Sequence, residues 1–293
     1  MADDASFLIG QATFRAPPLE PGLYLVATPI GNLGDMTIRA LEVLAAADIL
    51  ACEDTRVTRV LLARYGIARR ATAYHEHNAD EAGPKLLAAI AQGKSVALVS
   101  DAGTPLVSDP GFRLVESARD AGLKVVPIPG ASAALAALTA SGLPSDSFFF
   151  AGFLPVKDGQ RNTRLEELRT VPGTLIFFES PRRLADSLRA MAAVLGDRPA
   201  AMCRELTKAF EEIRTGPLSG LAEHYAQAGA PKGEVVVCVG PPVAAPAEAA
   251  DVDALLRALD AEMGASRAAA EAARTTGMRK ADLYKRLLEL RDE

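Results

Sequence analysis

Two glycines, two prolines and two aspartates lie in one short stretch of the sequence, from Ser100 to Gly111. The stretch follows the apolar run 95–99, which is typical of a β-strand, and precedes a helical pattern that begins at Phe112. Glycine lets a ligand touch bare backbone, proline stiffens the loop, and the carboxylates of Asp101 and Asp109 can accept hydrogen bonds from hydroxyl groups or face a cation. An ordinary tight loop with helix-capping aspartates is the alternative. Because open α/β sheets bind ligands in loops that follow strands, we favour a binding site.

Three further loops follow predicted strands. Thr28-Pro29-Ile30-Gly31 follows strand 23–27, Glu53-Asp54-Thr55-Arg56 follows strand 48–52, and Pro129-Gly130-Ala131-Ser132 follows strand 123–128. Ligand crevices form at the carboxyl ends of strands, so we expect the first two loops to face one crevice. The third loop begins an alanine-rich helix, where free N–H groups favour an anionic or polar ligand group, and a plain helix cap is the alternative.

The common nucleotide-binding and metal-binding motifs do not occur in the sequence. Gly31 and Gly34 lack the third glycine and the G-x-G pair of the dinucleotide fingerprint, and no G-x-x-x-x-G-K-[ST] loop is present. His75 and His77 would share a face of a strand, but no third ligand lies nearby in the sequence, and two solvated histidines in a polar loop explain the pattern. We therefore predict neither nucleotide hydrolysis nor a metal site.

Composition narrows the class of protein. The chain has 293 residues, of which 49% are hydrophobic, enough for two domains with a buried core. Its three cysteines are far apart and form no C-x-x-C pair, which fits a reducing cytosol. No apolar run reaches the length of a membrane span, so we predict a cytoplasmic protein without a membrane partner. A net charge of −5 is not typical of a non-specific nucleic-acid binder, although it permits a local basic patch.

The pattern of apolar runs divides the chain into five segments. They are a loose N-terminal tail (1–20), an N-terminal α/β domain (21–129), a C-terminal α/β domain (130–240), a Pro/Ala-rich linker (241–250) and a three-helix tail (251–293). The tail resembles a helix-turn-helix module, and Arg279, Lys280, Lys285 and Arg286 give its last helix a basic edge. Basic residues near a helix end are equally well explained by the helix dipole, so a small packing domain is the alternative.

Six motifs, taken in order, resemble those of the ribosomal RNA small subunit methyltransferase I branch of the tetrapyrrole methylase-like enzymes. They are 28–33, 53–56, 100–111, 129–132, 178–183 and 204–208. The resemblance extends from about Gly22 to Gly240, and the three-helix tail is similar to the C-terminal extension of that branch. It implies two α/β domains of the tetrapyrrole methylase type, with S-adenosylmethionine in the cleft between them and with a homodimer as the usual assembly.

The resemblance also implies an activity and a set of cofactor contacts. The activity is methylation of the ribose 2′-hydroxyl of a cytidine in the decoding region of 16S rRNA, within the small ribosomal subunit. The implied cofactor contacts are Thr28, Pro29, Ile30, Gly31, Asp101, Ala102, Gly103, Thr104, Pro105, Leu106, Ser132, Ala133, Leu206, Gly233 and Glu234.

Residue types add hypotheses about mechanism. A ribose hydroxyl is a poor nucleophile until its proton begins to leave, so a carboxylate at a strand end, Glu53 or Asp54, is a candidate base. An ion pair of these carboxylates with Arg56 or Arg59 explains them equally well. The candidates for holding RNA phosphates are Arg56, Arg182, Arg183 and Lys208.

Two other functions are compatible with the residues. A small-molecule methyltransferase of the same fold would act on a tetrapyrrole-like substrate, although the Glu-Asp-Thr-Arg motif and the helical tail argue against it. A non-catalytic regulator would bind nucleic acid through the tail.

Overall fold

The computed structural model describes residues 5–108, 111–242, 249–276 and 278–292. Asp109 and Pro110 of the central loop, Gly277 and most of the predicted linker 241–250 lie outside the described residues. The chain divides into two compact units, Met1–Pro241 and Pro242–Glu293.

The first unit begins with a β-hairpin. Strand β1 (Ser6–Ile9) pairs antiparallel with β2 (Ala12–Arg15), and the main-chain N–H of Leu8 donates to the carbonyl of Tyr65 at 2.7 Å. Phe7 is 2% exposed and belongs to the same buried cluster as Leu41 and Leu44. The loose tail expected for residues 1–20 is therefore wrong for residues 6–15, because burial of Phe7 anchors the hairpin.

A parallel sheet with helices on both faces follows the hairpin. Its elements in chain order are β3 (Gly22–Val26), α1 (Ile38–Ala46), β4 (Ile49–Cys52), α2 (Thr55–Arg64), β5 (Ala71–Ala73), α3 (Ala79–Ala91), β6 (Ser95–Val99), α4 (Phe112–Asp120) and β7 (Val125–Ile128). Among the described residues the sheet has five strands in the order β5-β4-β6-β3-β7. β6 is buried along its whole length, as the apolar run predicted, because both faces of a parallel sheet are covered.

A second sheet of mixed direction completes the first unit. Its elements are α5 (Ala133–Ala140), β8 (Phe148–Phe153), α6 (Asp158–Leu168), β9 (Thr174–Glu179), α7 (Leu184–Leu195), β10 (Pro199–Arg204), β11 (Glu212–Pro217), α8 (Leu218–Ala228) and β12 (Val235–Val239). The strand order in the described part of the chain is β11-β10-β12-β9-β8, with β8 and β9 parallel and the other pairs antiparallel. Side chains of α5, which follows the first sheet in the chain, share a buried cluster with Ile176, Cys203 and Val236 of the second sheet.

The second unit consists of helices. They are α9 (Ala249–Met263), α10 (Ala265–Thr276) and α11 (Lys280–Asp292), with a core that includes Leu256, Ala268 and Leu287. Two of the four residues of the predicted basic edge are paired, because Arg286 forms an ion pair with Asp253 at 2.6 Å and Arg279 lies 3.8 Å from Asp282. No helix in the described ranges combines the length and the apolar character that crossing a bilayer requires.

Candidate functional site

Three loops of the first unit are joined by hydrogen bonds at the carboxyl edge of the first sheet. β3 and β6 are parallel neighbours, so the loops that follow them meet, and Thr28 and Gly103 exchange main-chain hydrogen bonds of 2.9 and 3.1 Å. The hydroxyl of Thr104 donates to the carbonyl of Ala131, at the start of α5, at 3.2 Å. The crevice is therefore formed by the loops after β3, β6 and β7. The loop 53–56 after β4, predicted to face the same crevice, is outside the cavity lining and is joined to it by the hydrogen bond from Asp54 N to Asp101.

A cavity of about 440 Å³ opens beside these loops. A volume of this size falls in the range of small-molecule sites, about 300–1,000 Å³. Its lining comes from both sheets. The lining residues are Ile30, Asp101, Ala102, Gly103, Thr104, Val107, Ser108, Ser132, Ala133, Phe153, Phe178, Glu179, Ser180, Pro181, Cys203, Leu206, Gly233, Glu234, Val235 and Val236.

Most of the residues implied as cofactor contacts border this cavity. Those in the lining are Ile30, Asp101, Ala102, Gly103, Thr104, Ser132, Ala133, Leu206, Gly233 and Glu234. Thr28, Pro29, Gly31, Pro105 and Leu106 lie outside the lining. Thr28 is 3% exposed, and its hydroxyl donates to the carbonyl of Ser100 at 3.1 Å, so it links the loop after β3 to the loop after β6.

The sequence reasoning missed the wall that the second sheet contributes. These residues are Phe153, Phe178, Glu179, Ser180, Pro181, Cys203, Val235 and Val236, whereas Val107 and Ser108 in the lining belong to the predicted loop 100–111. Phe178 to Pro181 belong to a motif that carried the family resemblance, and that motif was the available signal. Whether the remaining residues line the cavity depends on how the second sheet packs relative to the first. The periodicity of apolar residues along the chain does not predict that packing.

Backbone strain is concentrated in two of the cavity loops. Among the described residues, the non-glycine residues in the left-handed region are Leu106 and Ser108, with φ of 72° and 63°, and Glu205 and Thr207, with φ of 50° and 67°. Such conformations cost free energy and persist where the surrounding structure enforces them. All four are adjacent to or part of the cavity lining, so the strained backbone lies at the candidate site.

The two glycines nearest Lys208 and Glu205 are required by close packing. A Cβ on Gly31, whose φ is +152°, would lie 2.4 Å from Lys208 Cγ. A Cβ on Gly233, whose φ is +96°, would lie 2.3 Å from the carboxyl carbon of Glu205. Gly31 is therefore needed to accommodate the Lys208 side chain, and Gly233 to accommodate the Glu205 carboxylate.

The carboxylates of the lining differ in their partners. Glu179 has a fully buried side chain that accepts a hydrogen bond from Ser180 N at 2.7 Å and another from the Ser187 hydroxyl. Asp101 accepts a hydrogen bond from the main-chain N–H of Asp54 at 3.0 Å through Oδ1. Asp101 thus joins the β6 loop to the end of β4, which orients this carboxylate at the cavity.

The candidate bases both lie outside the cavity lining. Asp54 caps α2 by accepting from Arg56 N at 2.8 Å, and its Oδ2 also accepts from the Arg56 guanidinium at 2.6 Å. These hydrogen bonds lower the pKa of Asp54 to about 2. The ion pair named as the alternative is thus present for Asp54, whereas Glu53 is exposed to solvent.

The cations expected to hold RNA phosphates fall into two groups. Arg56 and Arg182 are exposed, although Arg56 is shared with Asp54. Arg183 is turned into the fold, where its Nη2 donates to the carbonyls of Leu154 at 2.7 Å and Pro155 at 3.1 Å.

Lys208 belongs with Arg183, because its Nζ donates to Glu205 and Glu234 at 2.7 Å each. Carbonyls and carboxylates of this chain thus accept hydrogen bonds from both side chains, which argues against Arg183 and Lys208 as phosphate contacts, and that role stays a prediction.

Comparison with known proteins agrees with the family resemblance seen in the motifs, and the matches cover nearly the whole chain. Residues 22–222 match the family of tetrapyrrole (corrin/porphyrin) methylases, and residues 246–291 match the RsmI C-terminal HTH domain. A protein named ribosomal RNA small subunit methyltransferase I from Mesorhizobium japonicum is 71% identical over 97% of both chains. The protein of that name from Escherichia coli O157:H7 is 48% identical over 91% of this chain and 94% of its own.

Solved structures agree on the fold. Diphthine synthase has a TM-score of 0.59 at 19% identity, over 74% of this chain and 89% of its own. Uroporphyrin-III C-methyltransferase from Thermus thermophilus, complexed with S-adenosyl homocysteine, has a TM-score of 0.52 at 21% identity, over 74% of this chain and 97% of its own. The fold class predicted from the sequence is confirmed. By sequence, the chain belongs to the ribosomal RNA small subunit methyltransferase I family of the tetrapyrrole methylases.

Proposed function

We propose that this protein transfers the methyl group of S-adenosylmethionine to the ribose 2′-hydroxyl of a cytidine in the decoding region of 16S rRNA. One observation supports this above the others. Five of the six motifs, from both sheets, contribute residues to one cavity of about 440 Å³ in a chain 71% identical to a named rRNA methyltransferase.

The chemistry of the lining fits S-adenosylmethionine. Ile30, Leu206 and Val236 supply apolar walls for an adenine ring, and the oriented carboxylate of Asp101 can accept hydrogen bonds from ribose hydroxyls. Gly103 has φ of +82°, and a Cβ there would be 3.3 Å from Ile30 Cγ2, so a side chain would crowd this wall. The bound cofactor supplies a methyl group that is attached to a positively charged sulfonium. When the methyl group is transferred, the rest of the cofactor is the leaving group and becomes a neutral thioether.

The residues of this chain contribute position and proton acceptance. In-line displacement requires the attacking oxygen to be aligned with the methyl carbon, and the strained, cross-linked loops provide a rigid frame for that alignment. Of the two candidate bases, we assign proton acceptance to Glu53. Asp54 is already engaged with Arg56, and its depressed pKa of about 2 makes it a weak proton acceptor.

RNA binding is assigned to the exposed cations. Arg56 and Arg182 are exposed and can face phosphates, although Nε and Nη2 of Arg56 also donate to Asp54. We further propose that the protein acts as a homodimer in the cytoplasm, on RNA within the small ribosomal subunit. Both proposals extend the family resemblance to this chain.

The proposal is tested with small subunits from cells that lack this protein. Purified protein and radiolabelled S-adenosylmethionine are incubated with these subunits, with naked 16S rRNA and, separately, with a porphyrinoid. We expect one methyl group per subunit, mapped by mass spectrometry to the ribose of one cytidine. Label on a base, on ribosomal protein or on the porphyrinoid would overturn the assignment, as would the absence of heat when the cofactor is titrated into the protein.

A further inference from the structure

A β-bulge in β8 determines the face on which Phe153 lies. Phe150 pairs with Ile176, but the next pairs are Gly152 with Phe177 and Phe153 with Phe178, so one residue of β8 is left over. Side chains alternate along a regular strand, and residues three apart would point to opposite faces. The bulge, with Gly152 at φ +66°, restores Phe153 to the face that carries Phe150.

The consequence is an aromatic cluster at the cavity. The rings of Phe150 and Phe178 have centroids 4.9 Å apart, and those of Phe153 and Phe178 are 5.6 Å apart, both edge to face. Phe153 and Phe178 line the cavity. Edge-to-face packing against Phe178 holds the Phe153 ring in a defined orientation.

Phe153 is nevertheless 59% exposed. An aromatic side chain held beside a small-molecule cavity, with more than half of its surface in water, is poised to contact something that enters with the ligand. The bulge supports the same role for Phe153. β-Bulges often occur next to active sites, where they change the direction of one side chain, and here the bulge places Phe153 at the cavity.

The proposed function identifies what that contact is. In a nucleotide, the base and the 2′-hydroxyl are attached to adjacent carbons of the ribose. A protein that holds the 2′-hydroxyl at the cavity therefore also brings the base close to the cavity rim. Proteins that recognise unpaired RNA bases commonly stack them on exposed aromatic rings.

Resting on the proposed function, we propose that Phe153 is the stacking surface for the base of the nucleotide that is methylated. The base leaves its stack in the RNA, and its face packs on the Phe153 ring while the attached ribose enters the cavity. Stacking requires a planar aromatic partner and no hydrogen bond, so Phe153 contributes to the binding of the target nucleotide rather than to proton transfer.

The test compares Phe153→Ala, Phe153→Trp and Phe148→Ala. Phe148 lies on the same strand and is 46% exposed, but it is outside the cavity lining, so it is a matched control. We expect the Phe153→Ala protein to bind or methylate small subunits about 5- to 150-fold less well, the range for loss of one base stack. The Trp variant and the Phe148 control should stay within a few-fold of the wild type, and calorimetry should give an unchanged cofactor affinity for all three.

Three outcomes would overturn the inference. Unchanged methylation by Phe153→Ala would mean that no base stacks there, and an equal loss of cofactor affinity would make Phe153 part of the cofactor wall. Dissociation of a dimer in sedimentation experiments would make it a contact between copies of the chain. Failure of the proposed function is distinguishable, because then the wild-type protein itself would methylate no ribose.

Discussion

The side chain of Lys208 lies over Gly31 and joins the loops of the two sheets. Gly31 follows β3 in the first sheet, Lys208 follows β10 in the second, and a Cβ on Gly31 would be 2.4 Å from Lys208 Cγ. Lys208 is held in place by Glu205 and Glu234, each 2.7 Å from Nζ. Glu234 is also part of the cavity lining, so this network fixes one side of the candidate cofactor site.

Replacement of Gly31 by alanine tests that packing. The added methyl group overlaps Lys208, and the φ of +152° is unfavourable for alanine, so the Lys208 network must shift. Overpacking of this kind costs a few kcal/mol, and we expect cofactor affinity to fall at least about tenfold. Calorimetric titration measures it. Gly159→Ala is the control, because nothing lies within 4 Å of its Cβ position, and its affinity should not change. Wild-type affinity in the Gly31 variant would contradict this role for the contact.

The Lys208 network also predicts a dependence of stability on pH. Burial lowers the pKa of Lys208, but hydrogen bonds to Glu205 and Glu234 outweigh that effect and raise it above its ordinary value. The hydrogen bond from Lys208 lowers the pKa of Glu205. The stabilisation from Lys208 is therefore present below the pKa of unfolded lysine, about 10.4, and is lost as the pH rises through its raised value. That from Glu205 is present above the pKa of unfolded glutamate, about 4.3, and is lost as the pH falls through its lowered value.

We accordingly expect Lys208→Met to lower the free energy of unfolding at pH 7, with a difference from the wild type that shrinks below about pH 4 as Glu205 is protonated. Urea unfolding at several pH values measures this. Lys85→Met is the control, since Lys85 pairs with Glu81 on an exposed helix face and screening by water leaves such pairs with little effect. A constant difference between Lys208→Met and the wild type across the acid range would contradict the prediction.

Local sequence features predicted four of the five strands that the described residues form in the first sheet and missed the three-residue β5 (Ala71–Ala73). The strand at 95–99 has the predicted bounds, and the helix that begins at Phe112 is where the pattern put it. Both predictions are confirmed for the same reason. A strand that is buried on both faces is a continuous apolar run, and the glycines and prolines of the loop mark where the strand ends and the helix begins. The sequence placed the loops after β3 and β4 at one crevice because parallel strands end at the same edge, but the loop after β4 contributes no residue to the cavity lining.

The parts that sequence reasoning missed share a different property. β11 (Glu212–Pro217) is a polar strand whose residues are mostly exposed, and the pattern of buried residues gives no signal there. The bulge in β8 depends on pairing with β9, a contact between strands that alternation within one strand does not reveal. The sequence suggested that Lys208 was available to bind phosphate. One of its carboxylate partners, Glu234, lies 26 residues away in the chain, and local patterns do not reveal such a contact.

The two candidate bases should respond differently to amide substitution. Asparagine caps helices as well as aspartate, so Asp54→Asn should keep α2 intact and lose the charge that pairs with Arg56. With a pKa of about 2, Asp54 is ionised throughout the range from pH 5 to 8, so its replacement should leave the shape of the pH–rate profile unchanged. Glu53→Gln should instead reduce turnover by about 10²- to 10⁴-fold, as for loss of a general base.

Single-turnover methylation at saturating cofactor measures both variants. The stabilisation that the lowered pKa of Asp54 provides is present above the unfolded value of about 3.9 and is lost as the pH falls towards 2, so it does not affect measurements near neutrality. If Asp54→Asn is as inactive as Glu53→Gln, the assignment of proton acceptance to Glu53 is wrong.

Neighbouring arginines should show opposite effects. Arg183→Ala removes the donor to the carbonyls of Leu154 and Pro155 and the guanidinium 3.5 Å from the buried Glu179 carboxylate. We expect it to lower the free energy of unfolding by about 1–3 kcal/mol, the cost of unsatisfied buried polar groups. Arg182→Ala should change stability by less than about 0.5 kcal/mol and should weaken binding to small subunits with a shallower salt dependence. Urea unfolding and binding at several salt concentrations separate the two roles, and equal effects of both variants would contradict them.

The N-terminal hairpin should contribute to stability through one side chain. Phe7 is 2% exposed and stacks on Phe14, with ring centroids 5.6 Å apart, whereas Phe14 is 44% exposed. Phe7→Ala should lower the free energy of unfolding by about 3–5 kcal/mol, and Phe14→Ala by about 1 kcal/mol, since the second change removes a half-exposed ring and one aromatic contact. Urea unfolding measures both, and cofactor affinity should stay unchanged because the hairpin lies outside the cavity lining. Equal stability of Phe7→Ala and the wild type would mean that the hairpin does not dock on the first sheet in solution.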